Sequence, residues 1–255
     1  MPSELRSAIK ARGVLVGTII TTSSPELVEA LSLSGLDWLF FDLEHSVPGI
    51  QDVQHMLMAL RKPCLSLLRI ECADQVFVKR ALDTGCDGII VPQVNSPDTA
   101  RQVVAAAKYS PLGTRGVGAN RSSGYGYSLA SAVASDNERT AVIVQIEHIQ
   151  AVEHIESILA VEGIDAIFVG PNDLSSSMGR PGEVQHPMVQ RAIDKVARAA
   201  RDAAMPAGIY VADDSALELE VKKGFQFFAV GTEIARAVAS CRGTLSARDR
   251  LCSRR

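Results

Sequence analysis

Trp38-Leu39-Phe40-Phe41-Asp42-Leu43-Glu44-His45 is the stretch that decides the fold: an apolar, aromatic run that ends in two acids and a histidine. Such a run is typical of a buried β-strand. Each ionisable group at its end costs free energy to remove from water unless the group is paired or binds a metal. The polar end therefore predicts a functional site where this strand finishes.

Further apolar runs alternate with helical patterns along the whole chain. Strands are predicted over residues 14–20, 38–44, 64–70, 88–94, 140–147, 166–169, 207–211 and 227–230. Strands that are apolar on both faces indicate a parallel sheet covered by helices. A doubly wound open sheet is the alternative, but no Gly-x-Gly-x-x-Gly follows the first strand. We therefore predict an α/β fold, one (β/α)₈ TIM barrel over residues 1–255 with an additional C-terminal helix.

Composition excludes several classes of protein. The net charge of -3 and the lack of a basic stripe argue against a nucleic-acid partner. No run approaches the ~18 consecutive apolar residues of a membrane span, and the N-terminus lacks the apolar run of a signal peptide. The five cysteines form no Cys-x-x-Cys pair, which favours a reducing, cytoplasmic location.

Carboxylates at neighbouring strand ends predict a metal site. Side chains alternate along a strand, so Asp42 and Glu44 share one face with Phe40 and line the barrel mouth. Glu147 and Asp173 follow the fifth and sixth strands. A carboxylate pair suits a hard divalent cation such as Mg²⁺, which proteins often hold through one or two carboxylates. The open alternatives are helix capping by the first pair and neutralisation of the second pair by Arg69.

The lysines supply a further constraint. All seven lie on or beside predicted helices, and none follows a strand. Schiff-base chemistry needs a desolvated lysine in the site, so the positions favour metal-assisted chemistry.

The chain resembles the metal-dependent 2-oxo acid aldolases of the HpcH/HpaI family from about Gly17 to Glu233. The resemblance is carried by an ordered set of motifs: Phe41-Asp42-Leu43-Glu44-His45, Leu68-Arg69, Val91-Pro92-Gln93-Val94, Gly113-Thr114-Arg115-Gly116, Gln145-Ile146-Glu147 and Val169-Gly170-Pro171-Asn172-Asp173. It differs from familiar members at Ser46-Val47-Pro48-Gly49 and at His148, which leaves the aldehyde specificity open.

The resemblance implies a class II pyruvate aldolase. Such an enzyme cleaves a 4-hydroxy-2-oxo acid to pyruvate and an aldehyde through a metal-bound enolate, with Mg²⁺, Mn²⁺ or Co²⁺ as cofactor. The resemblance implies that His45 is the general base, that Arg69 stabilises the enolate and binds substrate, and that Asp42 and Asp83 assist catalysis. It implies that Gln145 and Asn172 contact the substrate. Glu147 and Asp173 are the implied metal ligands, and Asp173 would also contact the substrate. The alternatives are an acyl-CoA lyase of the citrate-lyase type and a non-catalytic barrel that binds a ligand.

Asp83 leads to a prediction about assembly. It ends the predicted helix 74–84, and in a (β/α)₈ barrel the carboxyl end of a helix lies at the face opposite the active site. Asp83 should therefore not reach His45 of its own barrel. If Asp83 tunes a catalytic histidine, as the resemblance implies, it does so across a subunit interface. We predict a homo-oligomer, with a hexamer expected from the resemblance.

Overall fold

A computed structural model describes residues 4–252 and contains a closed barrel of parallel strands. Within that range the strands are β1 (Leu15–Ile20), β2 (Trp38–Asp42), β3 (Leu65–Arg69), β4 (Gly88–Val91), β5 (Ala141–Ile146), β6 (Ala166–Val169), β7 (Ala207–Val211) and β8 (Phe227–Thr232). Each strand pairs with the next in sequence, and β8 pairs with β1. The predicted (β/α)₈ barrel is confirmed.

Helices connect the strands and cover the outside of the barrel. They are α1 (Glu4–Arg12), α2 (Pro25–Ser32), α3 (Ile50–Ala59), α4 (Gln75–Asp83), α5 (Pro97–Ala107), α6 (Leu129–Arg139), α7 (Ile149–Glu153), α8 (Ile155–Leu159), α9 (Pro171–Ser177), α10 (Pro187–Asp202), α11 (Leu217–Lys223) and the C-terminal α12 (Glu233–Cys252). Several begin as their sequences predict. Ser96, for example, caps α5 by accepting a hydrogen bond from the backbone N–H of Thr99 at 3.2 Å.

Two apolar layers hold the fold together, one on each face of the barrel wall. The inner layer contains the aromatic rings of Trp38, Phe40, Phe168 and Phe227, whose neighbouring centroids lie 5.6–6.2 Å apart. Gly208 makes room for them, since a Cβ there would lie 2.4 Å from the Phe227 ring. The outer layer packs Leu39, Phe41 and Leu43 of the opening stretch with residues of the surrounding helices.

Helix α1 closes one end of the barrel. Its buried residues Leu5 and Ile9 belong to the inner apolar layer, and the helix contacts β1 and β5. The sequence analysis did not predict this helix. Because this end is filled with apolar side chains, a polar site is left to the other end, where the carboxyl termini of the strands lie.

Within residues 4–252, no helix has the length and apolar content needed to cross a membrane.

Candidate active site

Asp42 and Arg69 form the central ion pair of the barrel mouth. They are partners in the β2–β3 register. The Nε and Nη2 atoms of Arg69 donate to the two carboxylate oxygens of Asp42 at 2.9 and 2.7 Å, and both side chains are buried. The guanidinium also lies 5.2 Å from the ring centroid of Phe40. A bidentate pair of this kind fixes the plane of the guanidinium as well as its position.

Asp42 also organises the turn that follows β2. Its Oδ1 accepts hydrogen bonds from the backbone N–H groups of Glu44 at 3.0 Å and His45 at 3.3 Å. Burial raises the pKa of Asp42, but the hydrogen bonds and charge of Arg69, together with these two N–H groups, outweigh burial and hold the pKa below its ordinary value. Asp42 therefore positions Arg69 and the segment that carries His45.

Glu147 is the most enclosed acid of the site. It follows β5, is 1% exposed, and accepts a hydrogen bond from the backbone N–H of Gln93 at 2.8 Å and another from the side-chain amide of Gln145. The pKa of Glu147 is raised to about 7, chiefly by burial. The charges of Glu44 and Asp173 also raise it, whereas the N–H of Gln93 lowers it. A divalent cation beside this carboxylate would stabilise its ionised form and so offset the effect of burial.

Gln93 reaches Glu147 because its backbone is left-handed, with φ of 55°. A non-glycine residue in this region is strained by about 1–3 kcal/mol, and such strain is concentrated at functional sites. The Val91-Pro92-Gln93-Val94 motif therefore orients the Glu147 carboxylate. No role for Gln93 was predicted from the sequence, since a backbone conformation of this kind has no signature there.

Glu44 is another acid of the site; the sequence predicted that it lies at the barrel mouth but gave it no role. Burial raises its pKa to about 7; Arg69 lowers it, while the charges of Asp42 and Asp173 raise it. One carboxylate oxygen lies 3.3 Å from Nη1 of Arg69, an ion-pair distance, yet this buried oxygen accepts no hydrogen bond among the described residues. The strand predicted over 38–44 ends at Asp42, so Glu44 lies in the turn that follows β2. The sequence gave no sign that Glu44, Glu147 and Asp173 influence one another electrostatically.

Asp173 and Asn172 lie in the first turn of α9, directly after β6. Gly170 before them allows a close approach: a Cβ there would lie 2.9 Å from Gln145 Nε2 and 3.0 Å from Glu147 Oε2. The short β6–α9 connection therefore brings Asp173 towards the Glu147 carboxylate, as the adjacent strand ends predict.

A cavity of about 300 Å³ opens between these residues at the barrel mouth. Six of the eight predicted site residues line it: Asp42, His45, Arg69, Gln145, Asn172 and Asp173. The His45 side chain is 61% exposed, and its Nε2 lies 3.8 Å from Glu44 Oε2. No lysine lines the cavity, and the buried Lys108 instead bonds the carbonyl oxygens of Asn137 and Thr140.

Asp83 is elsewhere. It ends α4 and lies 3.3 Å from the Arg115 guanidinium, which in turn stacks over the Tyr109 ring at 4.6 Å. Burial raises the pKa of Asp83, and the Arg115 charge opposes that shift. Asp83 does not line the cavity of its own barrel, and its proposed action on another subunit stays a prediction.

The donor set fits a hard divalent cation held by few protein ligands. Within residues 4–252, no group of three or more His, Cys, Asp and Glu side chains forms a complete metal cage. Asp173 nevertheless offers a carboxylate that lines the cavity, Glu147 interacts with it electrostatically, and the buried Gln145 Oε1 has no hydrogen-bond partner in the described chain. Two carboxylates, with water and substrate as further ligands, are a common arrangement for Mg²⁺.

The chain is similar to known aldolases over nearly its whole length. The family model described as HpcH/HpaI aldolase/citrate lyase matches residues 16–239. A 5-keto-4-deoxy-D-glucarate aldolase of Escherichia coli O139:H28 is 34% identical over 234 residues, 91% of each chain.

Two solved structures share both fold and sequence with this chain. An HpcH/HpaI aldolase/citrate lyase family protein from Burkholderia cenocepacia J2315 superposes with a TM-score of 0.91 at 31% identity, covering 97% of this chain and 99% of that one. An HpcH/HpaI aldolase from Desulfitobacterium hafniense DCB-2 gives a TM-score of 0.84 at 32% identity, with 94% and 95% covered. The chain belongs to the HpcH/HpaI aldolase/citrate lyase family.

Proposed function

We propose that the protein is a divalent-cation-dependent pyruvate aldolase, which cleaves a 4-hydroxy-2-oxo acid reversibly to pyruvate and an aldehyde. The observation that carries the proposal is that Glu44, Glu147 and Asp173 interact electrostatically beside the fixed Arg69 guanidinium, next to a cavity whose described lining includes Asp173 and Arg69 but no lysine. The aldolase named among the similar proteins supports the same class of reaction.

Each site residue has a role in this reaction. Glu147 and Asp173 would hold the cation, and Gln145 and Asn172 would contact the substrate. When bound, the cation would supply a Lewis acid that stabilises negative charge on the 2-oxo acid. Arg69, held in place by Asp42, directs positive charge at the oxygen on C2, where one preorganised donor is worth about 3–4 kcal/mol.

His45 supplies the proton transfer. Its exposed ring stands at the cavity wall, where it would take the proton of the C4 hydroxyl during cleavage and return it during condensation. His45 and Arg69 should therefore fail differently. His45→Ala should keep more of the C3 proton exchange of pyruvate than Arg69→Ala does, because Arg69 acts on the enolate whereas His45 acts on the hydroxyl. Equal loss of exchange in both variants would contradict these assignments.

The decisive experiment is pyruvate release from a panel of 4-hydroxy-2-oxo acids after exhaustive chelation, repeated with Mg²⁺, Mn²⁺ or Co²⁺. We expect activity to require an added cation. Glu147→Gln should lose both activity and Mn²⁺ binding measured by calorimetry, while Glu153→Gln, at an exposed position on α7, should keep both. Full activity of chelated enzyme would refute the cation. Cleavage of an acyl-CoA thioester in place of the 2-oxo acids would favour the citrate-lyase reaction, and ligand binding without turnover would indicate a non-catalytic barrel.

The proposal extends to assembly and location. We propose a homo-oligomer, with a hexamer as the expected form, in the cytoplasm. All five cysteines are free thiols, which agrees with a reducing compartment. Light scattering of the purified protein measures the assembly directly.

A further inference from the structure

The charged side chains that line the cavity lie on one part of its circumference, and Glu233, which follows β8, does not line the cavity. Acids and Arg69 follow β2, β3, β5 and β6. The cavity wall over β7, β8 and β1 consists instead of Tyr210, Thr232, Ile19 and Thr21. Pyruvate must lie over the charged part, where the proposed function places the cation and Arg69. The aldehyde end of the substrate then faces the uncharged part.

Thr21 on this uncharged wall has a fixed hydrogen-bond polarity. The buried Glu233 accepts hydrogen bonds from the backbone N–H groups of Thr21 and Thr22, each at 2.7 Å, and from the Thr21 hydroxyl at 3.1 Å. A carboxylate only accepts hydrogen bonds, so the Thr21 hydroxyl must donate its proton to Glu233. The Thr21 hydroxyl therefore has only lone pairs left for a substrate group, so that Thr21, which lines the cavity, would act as an acceptor.

Thr232 has the opposite polarity. Its hydroxyl oxygen accepts a hydrogen bond from the backbone N–H of Ala235 at 3.1 Å, at the start of α12. This contact uses a lone pair, so the hydroxyl proton of Thr232, another residue that lines the cavity, stays available to a substrate acceptor. Thr232 ends β8 and is paired in register with Ile19 of β1, so both threonines lie at the same edge of the mouth.

We propose that Thr21 and Thr232 form a hydroxyl-recognition subsite, and that the aldehyde is an uncharged hydroxyaldehyde. An alcohol both donates and accepts a hydrogen bond, so it can donate to Thr21 and accept from Thr232. A carboxylate or phosphate on the aldehyde would meet the lone pairs of Thr21, with the Glu233 carboxylate directly behind them. It would also find no arginine or lysine among the described residues of this wall, which are Tyr210, Thr232, Ile19 and Thr21.

The subsite rests on the proposed aldolase function, and the test distinguishes failure of the subsite from failure of the aldolase function. Purified enzyme with saturating pyruvate and Mn²⁺ is assayed for condensation with glycolaldehyde, acetaldehyde and glyoxylate. The aldehyde carbon of these three compounds carries a hydroxymethyl, a methyl and a carboxylate group, respectively. The quantity compared is the ratio of kcat/KM for glycolaldehyde to that for acetaldehyde, taken within each variant so that expression and folding cancel.

Thr21→Val, which keeps the shape and removes the hydroxyl, should lower this ratio about tenfold, as expected for the loss of one hydrogen bond to the substrate. Thr21→Ser should restore most of the ratio. Thr22→Val is the matched control, because the Thr22 side chain is not part of the cavity wall, and it should keep the wild-type ratio. Glyoxylate should be the poorest of the three aldehydes for the wild type.

Two results would overturn the subsite while leaving the aldolase in place: a ratio that stays within twofold in Thr21→Val, or a wild-type preference for glyoxylate over glycolaldehyde. A wild-type protein that condenses pyruvate with none of the three, and releases no pyruvate from any 4-hydroxy-2-oxo acid, would overturn both the function and the subsite.

Discussion

Asp42 holds Arg69 through two parallel hydrogen bonds of 2.9 and 2.7 Å at the paired ends of β2 and β3. The guanidinium is thereby fixed before any substrate arrives, and preorganised charge is the form in which a positive group contributes most to catalysis. The same carboxylate receives the N–H groups of Glu44 and His45. One buried acid thus sets the position of three site residues.

The first prediction concerns this pair. Asp42→Asn keeps the shape but loses the charge and one acceptor, so we expect kcat/KM for pyruvate release to fall about 100-fold, as for loss of one preorganised donor. Combining Asp42→Asn with Arg69→Lys should cost much less than the product of the two separate losses, because both changes disturb one unit. Asp98→Asn, which removes an exposed ion-pair partner of Arg101 on α5, is the control and should match the wild type. Independent, multiplying effects would show that Asp42 does not act through Arg69.

The second prediction is the pH dependence of stability. The pKa of Asp42 in the folded protein lies below its ordinary value, since Arg69 outweighs the effect of burial. Ionised Asp42 therefore stabilises the fold above its unfolded pKa, and this contribution is lost as the pH falls through the folded pKa. In urea titrations below about pH 4, the ordinary pKa of an aspartate, the free energy of unfolding should fall more steeply with falling pH for the wild type than for Asp42→Asn. Parallel curves would contradict the depressed pKa.

The third prediction tests the close approach at Gly170. Its φ of -100° suits alanine, so Gly170→Ala strains no backbone. The added methyl group would nevertheless press on the ends of Gln145 and Glu147. We expect at least a roughly tenfold loss of kcat/KM with a thermal midpoint within a few degrees of the wild type. Gly116→Ala, which places a methyl group in open space, should change neither quantity. A fully active Gly170→Ala enzyme would mean that these side chains can move without consequence.

Particular residues show which features of the fold and of the site could be predicted from the sequence. Apolar runs such as Trp38-Leu39-Phe40-Phe41 predicted all the strands, and the polar residues after them predicted where Asp42, Arg69 and Glu147 would lie, because strand ends of a parallel barrel meet at one face. Three features were not predicted: helix α1 at the closed end of the barrel, the left-handed backbone of Gln93, and the electrostatic interaction of Glu44 with Asp173. Each depends on tertiary contacts between segments that are distant in sequence.

The fourth prediction separates this chemistry from the imine route. Since no lysine lines the cavity, borohydride added with pyruvate should leave the intact mass of the protein unchanged. A lysine-dependent pyruvate aldolase treated in parallel should gain one reduced pyruvate adduct and so show that the reagent works. A stoichiometric adduct on this protein would overturn the proposed class of aldolase.

The last prediction concerns Asp83 and the assembly. Within its own chain Asp83 pairs with Arg115 and does not reach the cavity, so a catalytic role requires a neighbouring subunit. His45→Ala and Asp83→Ala should each be nearly inactive. Co-refolding them in equal amounts should restore about a quarter of the wild-type activity, because a working site needs an intact His45 from its own subunit and an intact Asp83 from its neighbour.

The control mixture combines His45→Ala with Arg69→Ala. Both residues line the cavity of the same barrel, so mixing these variants cannot rebuild a site and should restore nothing. If Asp83→Ala alone is fully active, Asp83 has no catalytic role. If it is inactive and no mixture rescues it, the Asp83–Arg115 pair acts only within its own chain, by holding the segment around Arg115 against Tyr109.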